Sequence, residues 1–221
     1  MKRMILLVAL AGAARADEPA SGVVVDKDRK AVVIDARIAP RKIEDPKFKG
    51  VVYPIEVIAC WGFPKGQKAH ETVVTIDVKP SEIHKALEQL GLKPGKPVKG
   101  DVAETAQGPE LTILLEVPSD TGTRRIPIER ALLDPRTNKP MPKVKWRFTG
   151  SVLSKPSPDK DDKVYGADLT GTLIAIFPVT DETVVQTSLT MKEEKYLKLE
   201  TNKTVLPKEG TPVKLVIEAA K

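Results

Sequence analysis

The sequence predicts an α+β fold: mostly antiparallel β, with one main amphipathic helix at about residues 80–91 packed on the sheet. Three observations predict it. Short runs rich in Val, Ile and Leu recur from residue 22 to residue 218, punctuated by Gly, Pro and polar clusters. One segment alone carries apolar residues at clear helical spacing, namely Ile83, Ala86, Leu87 and Leu90. Clear internal repeats and convincing linkers are absent, which predicts a single β-rich domain over 17–221.

The first sixteen residues read as an address. Lys2 and Arg3 precede an apolar run, Met4 to Ala13, that is too short to span a bilayer. Ala14-Arg15-Ala16 is a small-x-small cleavage site, so residues 1–16 read as a secretory signal peptide. The expected location is therefore outside the cytoplasm, periplasmic or extracellular. No later run is long and apolar enough to cross a membrane, so the chain is not expected to be membrane-spanning.

Residues 22–26 and 31–36 read as a hairpin around Lys27-Asp28-Arg29-Lys30. Gly50 to Cys60 and His70 to Val78 read as two further strands. Trp61 to Ala69, with Gly62, Pro64 and Gly66, reads as the hairpin loop joining them. The helix follows: Pro80 suits its first position, Glu82 its first turn, and Gly91 its left-handed stop. Leu111 to Val117 is a strand, and 126–133 is ambiguous between strand and short helix. Val144 to Leu153 alternates like a half-buried strand. KPSPDKDDK (155–163) is an exposed loop. Leu169 to Val179, Thr183 to Thr190, Tyr196 to Leu206 and Val213 to Glu218 complete a β-rich tail.

Charge and composition exclude several classes. Removing Lys2, Arg3 and Arg15 with the leader takes the formal net charge from +6 to +3, because no acid leaves with them. The remaining charges alternate in sign and aromatic content is 4%, so no nucleic-acid partner is expected. One cysteine excludes an internal disulfide and an Fe–S cluster, which needs about four thiolates. No cofactor is expected.

Several short motifs occur in a telling order. Glu56 lies in a hydrophobic strand, followed by Gly66, Lys68-Ala69-His70-Glu71, Pro80, and Leu90-Gly91-Leu92-Lys93-Pro94-Gly95. Trp146-Arg147-Phe148-Thr149-Gly150-Ser151 and Gly171-Thr172-Leu173-Ile174 come later. Over roughly residues 50–180 the chain resembles the YdjY-domain family, exported bacterial proteins numerous in planctomycetes, with a β-rich C-terminal extension beyond. The resemblance implies the fold and the export but carries over no settled activity. Some members are described as ferredoxin-like, and the single cysteine departs from that.

Chemistry-bearing residues concentrate in CWGFPKGQKAHE, residues 60–71. If two paired strands bring them together, Glu56, Cys60, His70 and Glu71 could hold zinc or another divalent metal, with Glu71 as outer ligand or general base. A Cys–His nucleophile pair is a further option. The bland reading makes Cys60 a small buried hydrophobe, lets His70 satisfy a hydrogen bond at the strand's end with Glu56, and leaves Glu71 solvated or paired with Lys68. His84, on the flank of the helix stripe, reads as half-exposed. No GxSxG elbow, nucleotide loop or dense ligand spacing is present. The expectation is a non-catalytic binding, interaction or structural module for an envelope protein, polymer or small ligand. The alternative is a metal-binding, hydrolytic site at Glu56, Cys60, His70 and Glu71.

Overall fold

The computed structural model describes residues 22–220. The expected leader lies outside them. β1 (Val23–Asp26) and β2 (Ala31–Ile38) pair antiparallel, as the pattern predicts. Along β2, Val32, Ile34, Ala36 and Ile38 point into the core with Asp35 and Arg37 exposed between them, the period-two signature of a wall with one wet side. β3 (Val57–Trp61) and β4 (Thr72–Ile76) lead into α1 (Pro80–Gln89). β5 (Glu110–Ser119) and β6 (Gly122–Pro127) form a long hairpin. The ambiguous stretch at 126–133 resolves into the end of β6, a 3-10 turn at Ile128–Ala131, and β7 (Leu132–Asp134).

The remaining elements are β8 (Lys139–Pro140), β9 (Trp146–Phe148), β10 (Leu153–Ser154), β11 (Val164–Tyr165), α2 (Ala167–Thr170), β12 (Thr172–Ala175), β13 (Val185–Thr187), α3 (Met191–Tyr196), β14 (Glu200–Thr201) and β15 (Pro212–Ala219). The tail is less regular than its composition suggests. Thr183 to Thr190 holds three strand residues and Tyr196 to Leu206 only two. Between them, α3 is nucleated by a capping box: Thr190 Oγ1 accepts from the Lys192 N–H at 3.2 Å, and Glu193 accepts from the Thr190 N–H at 2.8 Å.

The sheet closes on itself. Its order is β2–β15–β5–β9–β13–β12–β3–β4, and β4 returns to β2. Closure works because β2 divides one edge. Residues 31–34 take β1, residues 36–38 take β4, and the other edge takes β15. β5 divides its edge likewise, 110–111 to β9 and 114–119 to β6. Pairings are mostly antiparallel, but β3–β4 and β12–β13 run parallel.

The closed eight-stranded barrel overturns the expected α+β sheet with a helix packed on its face. A closed sheet turns one entire face inward and fills it with its own side chains, so no broad face remains for a helix to cover. α1 forms where its period places it. The Lys79 N–H donates to the Glu82 carboxylate at 3.2 Å, and Gly91 stops it at φ +84°. It stands instead at the end of the barrel where β3 and β4 finish and β12 begins, against β1, β2 and α2. There Ile83, Ala86 and Leu87 join the barrel core as a plug. β15 is no extension either. It lies between β2 and β5 and completes the wall.

Candidate functional site

The expected hairpin loop, Trp61 to Ala69, is not one. β3 and β4 are parallel, with Val57 opposite Thr72 and Cys60 opposite Thr75. A parallel pair needs a connection that travels back the length of the strand. Residues 62–71 make that return, ending in a 3-10 turn at Ala69–Glu71. The reversal parts the cysteine from the histidine. Cys60 sits at the far end of β3, whereas His70 lies before the start of β4, beside the start of β3.

Cys60 is buried beneath the returning loop. Its Sγ faces the Thr170 carbonyl at 3.9 Å, and a Cβ on Gly66 would stand 2.9 Å from it. Burial pushes the thiol up to about 11, so it stays protonated and unreactive at neutral pH. Glu56, Glu71 and His70 do come together, around a residue outside the predicted set. Lys68 Nζ donates to Glu56 Oε2 at 2.9 Å and to Glu71 Oε2 at 2.7 Å, and His70 Nε2 meets Glu71 Oε1 at 3.1 Å. The ammonium fills the place between two carboxylates that a divalent ion would need. Among the described residues no group of three or more His, Cys, Asp or Glu is arranged to hold a metal ion.

Electrostatics follow from this crowding. Burial raises the Glu56 carboxyl, and Lys68 only partly opposes it. Burial works against the charge on Lys68, but Glu71 and Glu56 outweigh it and hold the ammonium above its ordinary range. Burial first, then the charges of Lys68 and Lys47, push His70 below its ordinary value.

An aromatic group roofs the cluster. The Phe48 and His70 rings lie 4.5 Å apart, Tyr53 meets His70 edge-on at 4.9 Å, and Phe63 meets Phe48 at 5.9 Å. Arg41 holds this roof to the barrel. Its guanidinium grips Glu200, with Nε to Oε1 at 2.7 Å and Nη2 to Oε2 at 3.2 Å. It also donates to the carbonyls of His70, at 3.3 Å, and Tyr53.

A family model described as the YdjY domain matches residues 23–218. The chain belongs to the YdjY-domain family. No curated protein and no solved structure matches it. The match runs from β1 to β15, so it takes in the whole closed barrel of this YdjY domain and not only the stretch 50–180.

The YdjY domain's other histidine serves the plug. His84 Nδ1 lies 2.6 Å from the Tyr165 hydroxyl, which accepts from the Ser151 N–H at 3.1 Å. Tyr165 therefore donates to His84, and the neutral ring carries its proton on Nε2, toward Glu88. Burial pushes His84 below its ordinary value and the Tyr165 phenol far above its own. Arg41, Phe48 and Tyr53 were invisible as site residues, whereas the expected pairing of Glu71 with Lys68 is present at 2.7 Å.

Both depressed histidines make stability depend on pH. The unfolded chain binds their protons more readily, so their contribution is full above 6.5 and is lost as pH falls through their folded values. The raised Glu56 acts oppositely: its contribution is full below 4.5 and is lost as pH rises through its folded value. With two imidazoles against one carboxyl, the urea midpoint is expected to fall from pH 7.5 to pH 5.5. His84→Asn should shrink that fall. A midpoint that rises on acidification would show the histidine shifts to be wrong in sign.

Proposed function

We propose that this YdjY domain is an exported, non-catalytic binding module acting in the periplasm or outside the cell. Its recognition face is the one built by loops 41–55 and 62–71, and its partner is an envelope protein, a polymer or a small ligand. The observation that supports this reading is exposed apolar surface on a braced base. Val51, Val52 and Phe63 are 51%, 40% and 44% exposed, on loops that the ring cluster and Arg41 hold to the barrel. Apolar groups gathered on one face favour association, and a braced face loses little entropy on binding. Lys47, Lys49 and Lys65 stand exposed around it. The buried thiol and the carboxylates shared by Lys68 supply no activated nucleophile.

The test is a paired substitution, Val51→Ser with Phe63→Ser, titrated against isolated cell-wall polymer and purified envelope proteins. Binding is expected to weaken at least about tenfold, the equivalent of ~1.4 kcal/mol, with the urea midpoint lowered only by the loss of the Phe63–Phe48 ring contact. Wild-type binding by the variant would remove this face from the reading.

One observation supports a second reading, the metal site. His70 Nδ1 is buried without a hydrogen-bond partner. If Lys68 swings out, Glu56, Glu71 and His70 leave three donors for zinc, the fewest a catalytic site uses, with Cys60 out of reach. Metal analysis of the purified protein and of His70→Ala decides it, because equal content in both excludes a site built on that imidazole.

A further inference from the structure

A cavity of ≈ 420 Å³ opens on the other side of Arg41, between the end of β2 and the loop that enters β15. Its floor is apolar: Ile38, Ala39, Leu206 and Pro207. Its polar lining is mostly cationic: Arg41, Lys203 and Lys208, with Glu209 as the acid among the lining residues. The volume falls in the range of small-molecule sites, about 300–1,000 Å³, and an apolar body with a few convergent polar groups is their usual make-up.

Arg41 is the telling member. Its side chain is 6% exposed, yet a guanidinium has five N–H donors and only four are committed here. Nε and one Nη2 hydrogen go to Glu200, the other Nη2 hydrogen to Tyr53, and one Nη1 hydrogen to His70. One Nη1 hydrogen remains for another acceptor. A leftover donor on a buried cation, with two lysines at the rim and an apolar floor, matches a single negative charge on an aliphatic chain. We propose that this cavity binds a free aliphatic monocarboxylate, its carboxylate among Arg41, Lys203 and Lys208 and its chain along Ile38 and Leu206. The cavity shares Arg41 with the base of the loop face but none of that face's exposed apolar residues, so its success or failure leaves that reading where it stands.

Calorimetric titration of the full chain with octanoate tests it. Saturable one-site uptake is expected, with octan-1-ol, which has the chain without the charge, at least tenfold weaker. The surface pair Lys203→Glu with Lys208→Glu should lose at least tenfold in octanoate affinity, and Leu206→Trp should fill the floor and block uptake. Because the tryptophan can disturb folding, the lysine pair carries the decision. No saturable octanoate binding, equal binding of octanol, or wild-type affinity in the lysine pair would each overturn the proposal. So would sedimentation with phosphatidylglycerol vesicles in the absence of free octanoate uptake, since that would make the cavity a seat for a lipid surface.

Discussion

Gly66→Ala is expected to destabilise the protein by about 3–5 kcal/mol, the size reserved for clashes and strain that the surroundings cannot absorb. The returning loop passes so close to β3 that an added Cβ would stand 1.9 Å from the Trp61 carbonyl oxygen and 2.9 Å from Cys60 Sγ. The nearest obstacle is backbone inside the barrel wall, where Trp61 N–H is already bonded to Gly171 O at 2.9 Å. It cannot yield without opening the β3–β12 ladder, so the loop must lift. Lifting it would also uncover Cys60. Faster reaction of the thiol with a maleimide should therefore accompany the lower urea midpoint. Gly91→Ala is the control: its φ is +84°, but nothing lies within 4 Å of the new methyl. It should cost only about 1 kcal/mol of left-handed strain. If Gly66→Ala costs no more than Gly91→Ala, the loop does not press on the strand as described.

Arg41→Met is expected to cost a further about 3–5 kcal/mol, the range found when one partner of a buried ion pair is removed. Methionine keeps most of the apolar stem, so the loss reports the charge and its hydrogen bonds. Glu200 would lose both guanidinium contacts, and the His70 and Tyr53 carbonyls would lose their donor. The roof over His70 would then hang on ring contacts alone. A double-mutant cycle with Glu200→Gln separates the ion pair from the carbonyl contacts. Burial raises the Glu200 carboxyl, but the Arg41 hydrogen bond and charge outweigh it and leave it below its ordinary 4.5. The pair's contribution is thus present above that value and lost as pH falls through the folded one. Arg41→Met should erase that acid sensitivity. A loss under about 1 kcal/mol, typical of surface pairs, would show that Arg41 does not brace the loops.

Much of the local structure was legible. The β1–β2 hairpin follows from two apolar runs around a charged turn, and α1 from the spacing of Ile83, Ala86, Leu87 and Leu90. The meeting of Glu56, His70 and Glu71 was legible as well. Their true centre was not. The pairing of Lys68 with Glu71 was expected, but not that the chain's return sets its ammonium between two carboxylates. Arg41 lies far from Glu200 in sequence, and no local pattern couples them. Thr190 and Glu193 spell the start of α3, but the β-rich composition of the surrounding tail outweighs the signal of a four-residue cap.

The amino-acid sequence by itself determined where the first hairpin forms, where the amphipathic helix starts and stops, and that a single cysteine cannot close an internal disulfide. Those properties rest on side-chain periodicity, on backbone preferences at proline and glycine, and on counting, all of them local. Only the tertiary structure decided that the sheet closes, that β3 and β4 run the same way, and that cysteine and histidine part company. Closure and strand direction depend on which distant edges meet, as when β15 slots between β2 and β5. A run of alternating residues presents the same two faces whichever neighbour it pairs with and in whichever direction.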